Sequence, residues 1–410
     1  MPSTDSALAI NGSEPTCDFD WPRWPVHDSA EETAILEVLR SGKWWFGERV
    51  KAFENEFANF QGAKFAVSCT NGTTAIEMAL RATGVVEGDE VIVPCYSFIA
   101  TASAVVTMGA IPVFADILPD TLCIDPADVA KEITSRTAAI IPVHVAGRVA
   151  DMDAINSLAK QHNLKVFEDA AHAWGSRTNG QGAGTLSQAG TFSFQETKNM
   201  TAGEGGILVT DDENLADLCR SFTHCGRTKG SAWYDHDVLG SNLRLTEFQA
   251  AILSAQLKRL PEQIATRERN AARIDAALTE VASVQTLAAA PEMTRRSYHI
   301  YIFRMAPEFA DKRDTILEAL NAEGIPASAG WYRPLYRNRV FQDAHVGPAH
   351  GIKSPLANKN VDYRSVECPV CESVCNDAIW IPQYVLLGSD EQLEKLCLGL
   401  QKVLKQVANL

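Results

Sequence analysis

No stretch of this 410-residue sequence approaches the roughly 18 consecutive apolar residues that a membrane-spanning helix needs. Positive charge is in short supply as well: 37 basic residues face 51 acidic ones, for a net charge of -14 at pH 7. Such a body repels phosphate backbones and anionic lipid, so neither nucleic acid nor a membrane surface is an expected partner. It has no basic helix-turn-helix region or basic tail to overrule that charge. Residues 1–18 hold no basic segment followed by an apolar one, so the cytoplasm is the expected location. Internal repeats and low-complexity tracts are also missing. What is present is an ordinary globular composition, 46% hydrophobic and 21% charged. The length allows two or three domains, with cores large enough to need neither disulfides nor a structural metal.

Most of the ten cysteines, among them Cys69, Cys95, Cys123, Cys219 and Cys397, stand singly in apolar runs, where a thiol behaves as a small hydrophobe. The exception is CPVCESVC, with Cys368, Cys371 and Cys375. Three thiols so close could ligate a metal, but no fourth ligand stands at a standard spacing. The expected structure there is a short helix started by Pro369, with Cys371 and Cys375 one turn apart and no metal.

From about residue 64 to 210, short β-rich runs alternate with helical stretches. The runs are KFAVS from Lys64, EVIVP from Glu90, IPVFA from Ile111, AAIIPVH from Ala138, KVFED from Lys165, GTFSF from Gly190 and GILVT from Gly206. Apolar, β-branched runs without alternation fit strands covered on both faces, and helical segments at 74–83 and 152–162 separate several of them. The succession predicts an α/β fold around a mostly parallel sheet. Then LTEFQAAILSAQLKRL sets Leu245, Phe248, Ile252, Leu253, Leu257 and Leu260 on one helical stripe, with Thr246 and Gln249 spaced as a capping box. A helical pattern continues over 262–279. A strand in SYHIYIFRM, a helix over 313–323, a loop-rich region and a helix from Asp390 complete a smaller α+β unit. We therefore expect a large domain over 20–265 and a small one over 266–410.

Four segments follow strands of that sheet, and ligands of open parallel sheets collect outside the carboxyl ends of the strands. CTNGTTAIEMAL holds a polar turn before a helix; the free N–H groups there could seat a phosphate, or Thr73 or Thr74 could merely cap the helix. KVFEDAAHAWGS ends a buried strand on Asp169, with His172 three residues on. A buried carboxylate needs a donor or cation as partner, and a protonated pyridine nitrogen is one. FSFQETKNMTAGEGG carries Lys198 in a polar, glycine-rich loop, where desolvation favours the unprotonated amine that Schiff-base chemistry needs. GSNLRLTEFQAA offers Asn242 and Arg244 to an anion, or forms an ordinary surface turn.

In this order, these four segments resemble the DegT/DnrJ/EryC1/StrS family of pyridoxal-phosphate (PLP)-dependent sugar aminotransferases. The likeness runs from WPRWPVHD to the C-terminal helix. SGKWW, PVHVAG, TAGEGG, HCGR and GSNLRL are closest to the 3-amino-5-hydroxybenzoate synthase and scyllo-inosose-type cyclitol aminotransferase branches. The resemblance implies the fold-type-I, aspartate-aminotransferase-like architecture, with a seven-stranded sheet and a smaller C-terminal domain. It further implies an obligate homodimer with shared sites. Lys198 would hold PLP and act as the proton-transfer base, while Asp169 would pair with the pyridine nitrogen. His172 would approach the ring, in a position where the family often has Gln. Phe98, in PCYSFIAT, would stack on the ring face. Asn71, Gly72, Thr73 and Ser193 would hold the phosphate, joined by Asn242 from the partner subunit.

The expected reaction passes an amino group from glutamate or glutamine to a keto sugar or keto cyclitol. One alternative is a lysine-bearing PLP aminodehydratase, as in aminohydroxybenzoate formation; a more distant one is a PLP-binding regulator without catalysis. Trp44, Trp45, Tyr96, Trp331, Tyr332 and Tyr336 are expected to line the substrate mouth, since aromatic faces suit a hydroxylated ring. His299 and Arg333 could meet a diphosphate or a carboxylate.

Overall fold

Helices α1 (Ser29–Ser41) and α2 (Glu48–Gln61) lead into the alternating segment in the computed structural model, which describes residues 7–288, 290–342 and 361–410. There β1 (Phe65–Cys69), α3 (Gly72–Ala82), β2 (Glu90–Pro94), α4 (Ala100–Thr107), β3 (Ile111–Ala115), α5 (Pro126–Glu132), β4 (Thr137–Ile140), α6 (Met152–His162) and β5 (Lys165–Asp169) follow one another. A two-residue hairpin, β6 (Arg177–Thr178) and β7 (Gln181–Gly182), precedes β8 (Ala189–Ser193) and β9 (Gly206–Thr210). All seven apolar runs enter one sheet of order β1-β9-β8-β5-β4-β2-β3. Its ladders are parallel except the two that flank β9. The mostly parallel seven-stranded sheet is thus present, and the carboxyl ends of β1, β2, β5 and β8 share one edge.

Beyond α7 (Glu213–Thr223) comes α8 (Glu247–Leu278), a single helix of 32 residues that runs on through Pro261. Its Thr246–Gln249 capping box forms as expected. Leu253, Leu257, Leu260 and Ile264 pack into the core behind the large sheet. Ala271, Ile274 and Leu278 enter a separate core. That second core is built with β10 (Val284–Thr286), β12 (Ile300–Met305), α9 (Arg313–Ala322), β13 (Ala378–Pro382) and α12 (Asp390–Leu404), of which β10-β12-β13 form a sheet, whereas β11 (Met293–Arg295) pairs with β6, and α10 (Arg339–Gln342) and α11 (Pro369–Asp377) pack into a core of the large sheet. Because the helix changes cores between Ile264 and Ala271, we propose keeping the division there, 20–265 from 266–410. The N-terminal segment joins the second core: buried Glu323 accepts the N–H groups of Ala9 and Thr16, and Leu8 and Cys17 pack there. Part of the loop-rich region expected after Glu323, 343–360, lies outside the described residues.

Two bounds differ from the sequence expectation. Helix α3 starts at Gly72 rather than at residue 74, because the Asn71 side chain caps it by accepting the Thr74 N–H at 2.9 Å. The strand in SYHIYIFRM starts only at Ile300, because Tyr298 takes a left-handed φ of 48°.

The site edge is held by a buried acid. Strand alternation turns Glu168 and Asp169 to opposite faces of β5. Fully buried, Glu168 accepts four hydrogen bonds: from His144 Nε2 (2.8 Å), Gly184 N (2.6 Å), Leu186 N (2.7 Å) and Ser187 Oγ (2.9 Å). The Ala150 N–H donates to His144 Nδ1, so the ring proton sits on Nε2, facing Glu168. Glu168→Gln turns an amide NH2 toward two of those donors and should cost about 2–3 kcal/mol of stability. Thermal or denaturant unfolding measures it; an unchanged midpoint contradicts the account.

Candidate active site

A cavity of about 820 Å³ opens at the carboxyl edge of the large sheet. Ten of the seventeen residues expected at the site line it: Asn71, Gly72, Thr73, Phe98, Asp169, His172, Ser193, Lys198, His299 and Trp331. On one side is the start of α3. With Asn71 committed to the cap, the N–H groups of Gly72 and Thr73 stay free of intrahelical partners at the positive end of the helix. A Cβ on Gly72 would lie 2.8 Å from Ser193 Cβ, so only glycine lets the β1–α3 turn close against the end of β8. Gly206 allows a similar approach: its Cβ would lie 2.2 Å from Asn71 O.

Across the cavity, Asp169 ends β5 with its backbone pinned on one side, His144 N–H donating to Asp169 O and Asp169 N–H to Pro142 O. Its buried carboxylate accepts Thr101 Oγ1–H at 2.7 Å and the Ala171 N–H at 3.2 Å. Thr101 Oγ1 also lies 2.7 Å from Ser97 Oγ. Among the described residues no cation forms a salt bridge with this carboxylate, which leaves a buried negative charge facing a cavity.

Lys198 lies in the loop between β8 and β9, which the Phe194 N–H to Gly205 O and Ala202 N–H to Phe194 O bonds hold in shape. Burial brings its amine down to about 8, against the opposing pull of Asp169. His172 and His299 stand with ring centroids 4.2 Å apart. Burial first, then the Lys198 charge, pushes both imidazoles well below their usual pKa; His299 lowers His172 further, and Arg267 lowers His299. The Ala146 N–H points at His172 Nδ1 (3.5 Å), so its proton sits on Nε2. Asn199 donates to Ser297 O and faces His299 Nδ1 with its own oxygen at 3.0 Å. Trp331 stacks on His172 at 5.6 Å, and Trp380 stands edge-on to Trp331 at 4.9 Å.

The other expected residues lie outside this cavity. Tyr96 is buried one layer behind it, where its hydroxyl accepts Trp380 Nε1–H at 3.1 Å. Tyr332 and Arg333 turn toward solvent and lie against each other at 6.0 Å, so Arg333 brings no charge to the cavity. Trp45 is exposed beneath the Arg244 guanidinium, and Asn242 is exposed too, bridged through its backbone to His224. Of the remaining mouth candidates, Trp44 is exposed and Tyr336 is buried against Glu372. Sequence reasoning missed Thr101 and Trp380. The Ser97–Thr101 spacing at the start of α4 was a usable sign of the first; nothing near Trp380 marked the second.

A mostly parallel sheet with a lysine amine, a buried carboxylate and a helix N-terminus at its carboxyl edge defines a fold-type-I transferase. The chain belongs to the DegT/DnrJ/EryC1/StrS aminotransferase family, whose model matches residues 25–400, and it is an aminotransferase. It is 37% identical over 378 residues to the 3-amino-5-hydroxybenzoate synthase of Amycolatopsis mediterranei (strain S699), covering 91% of this chain and 95% of that protein. It is 36% identical to the L-glutamine:2-deoxy-scyllo-inosose aminotransferase of Streptomyces fradiae, covering 99% of each. The crystal structure of 3-amino-5-hydroxybenzoic acid synthase matches the fold with a TM-score of 0.85 at 35% identity, covering 95% of this chain and 99% of that one.

The paired histidines give a pH signature. Folded, both stay neutral; unfolded, each takes a proton below its ordinary pKa of about 6.5. Their contribution to stability is complete above that value and is lost as pH falls, by up to about 1.4 kcal/mol per pH unit for each ring. The melting temperature should therefore fall between about pH 7 and pH 5, with a shallower fall in His172→Gln/His299→Gln. An equal slope in that double variant would show that other groups set it.

Proposed function

We propose that this cavity binds PLP through Lys198, and that the enzyme moves an amino group from glutamine or glutamate to a keto sugar or keto cyclitol. The observation that carries the reading is the lysine amine near neutrality beside a buried carboxylate that has no cationic partner among the described residues. A pyridinium nitrogen is the partner that Asp169 lacks, and Thr101 and Ala171 fix the direction of its carboxylate. The N–H groups of Gly72 and Thr73 with Ser193 Oγ make a cradle for the phosphate. Phe98 and His172, which both line the cavity, would hold the ring.

When bound, PLP supplies the carbon that takes up the amino group and a ring that spreads the negative charge left by proton loss. The chain contributes the rest. Lys198 takes the proton from the donor's α-carbon and returns one on the way to the product amine; an amine at about 8 serves both directions near neutral pH. His172, held neutral, presents Nε2–H without adding a second positive charge beside the lysine. Trp331, Trp380 and Phe98 exclude water and offer aromatic faces to a ring-shaped acceptor.

A homodimer is part of the same reading. Trp233, Tyr234 and Leu239 expose large apolar surfaces on the segment that leads to Asn242, and a homodimer would cover them and bring Asn242 to the partner's phosphate cradle. The cytoplasm remains the proposed compartment.

The purified enzyme should show a visible absorbance band that bleaches with glutamine or glutamate, with ping-pong kinetics toward keto cyclitols or keto sugars. Lys198→Ala should lose the band and lower turnover by roughly a thousandfold or more. A band that ignores both donors while an aromatic product forms would favour the aminodehydratase. No band after incubation with PLP overturns the assignment of Lys198.

A further inference from the structure

The thiols of CPVCESVC do not stand alone in the folded chain. Cys95 follows β2 and Asp116 follows β3, and both meet the start of α11. The ligand atoms of Cys95, Asp116 and Cys368 all lie within 4.8 Å of one another, and all three residues are buried. Cys95 Sγ is 3.7 Å from Asp116 Oδ1. Cys371 follows Cys368 by one turn of α11, its N–H bonds to Asp116 Oδ1, and Cys375 Sγ lies 4.0 Å from its thiol. All these cysteines are free thiols, each at most 2% exposed. The fourth ligand that the sequence spacing lacked therefore arrives from more than one strand away, through the fold.

Asp116 is turned for the purpose. Its carboxylate accepts the N–H groups of Ile117 (2.8 Å) and Cys371 (2.9 Å) on Oδ1 and that of Val370 (2.9 Å) on Oδ2. Three directions are taken by backbone N–H groups and the fourth by the Cys95 thiol proton, which a metal would displace; no salt bridge among the described residues supplies the carboxylate with a cation. A buried acid in that position is usually paired or coordinates a metal. In a tetrahedral zinc site, Zn–S bonds of about 2.3 Å and Zn–O bonds of about 2.0 Å put sulfur atoms about 3.8 Å apart and sulfur and oxygen about 3.5 Å apart. Cys95, Asp116 and Cys368 reach that cage with a contraction of about 1 Å or less, and Cys371, outside that group, would join it by a turn of its side chain.

We propose that Cys95, Cys368 and Cys371, with Asp116 as the fourth ligand, bind one zinc-class divalent cation in a closed structural site, with Cys375 left as a free thiol beside it. Four protein ligands leave no open position, so the ion takes no part in amino transfer. Its effect is mechanical. Cys95 adjoins Tyr96, whose hydroxyl holds Trp380, and the Leu335 N–H bonds to Cys95 O. The ion would therefore lock α11 and the aromatic wall of the cavity to the ends of β2 and β3.

The test uses the full-length, reduced enzyme. Its zinc content should be about one ion per chain, released by a mercurial thiol reagent and reported by a zinc dye. Cys368→Ser and Cys371→Ser should each drop that content to below about a tenth, while Cys375→Ser and Cys123→Ser keep it. If the serine variants fail to fold, the unmutated protein still decides. Stripped of zinc and titrated with cobalt(II), it should develop the thiolate-to-cobalt band of a tetrahedral site in the difference spectrum. No bound metal at micromolar zinc, no such band with cobalt, or full content in both serine variants overturns the proposal; so does a disulfide among these residues in the freshly isolated protein.

Discussion

The site depends on the way the end of β5 is fixed. A strand end is a weak place to hold a catalytic carboxylate, because it stands where the ladder stops. Glu168 overcomes that by collecting four donors, among them His144 from the end of β4 and the turn before β8. One buried charge thus ties together three neighbouring segments, and Asp169 inherits their rigidity on the opposite face. The desolvation of Glu168 is offset only because every lone-pair direction is used. The same logic recurs at Glu247, whose carboxylate accepts the N–H groups of Gly47, Arg49 and Val50 and so anchors α2 to the long helix α8.

Electrostatically, the cavity disfavours positive charge on its own side chains while keeping one negative charge uncovered. Burial lowers the pKa of Lys198, His172 and His299, and each of these cations would further disfavour the next. Arg267, fully buried behind His299 on α8, is itself lowered to about 9 by burial and works in the same direction. Among the described residues, Asp169 is the group that pulls Lys198 back up. A ligand bringing a cationic ring nitrogen and a phosphate would satisfy Asp169 and the start of α3 together, at the two ends of one cavity.

Much of this was legible from local sequence. The apolar runs marked all seven strands of the large sheet, since double burial leaves no polar alternation to confuse them. Asn71–Gly72–Thr73, Asp169, Ser193 and Lys198 were found because each follows such a run, and strand ends converge. The misses are of another kind. Tyr96 and Arg333 were expected in the cavity on residue type alone, and type does not say which way a side chain turns. Trp380 sits in a strand of the smaller sheet, and only the packing of α11 and β13 against the end of β2 carries it to the cavity. Asp116 and Cys95 met the CPVCESVC thiols by the same route. Contacts between distant segments leave no mark in spacing.

This division also bears on specificity. Most groups at the cavity come from successive loops at one edge of the large sheet, whereas Trp331 and Trp380 come from beyond α8 and pack against a core of that sheet. The first set is constrained by close backbone contacts such as that of Gly72 with Ser193. The second is joined to it through a few contacts: Trp380 to Tyr96, Leu335 to Cys95, and the start of α11 to Asp116. Changes in the second set can therefore reshape the acceptor pocket without disturbing proton transfer.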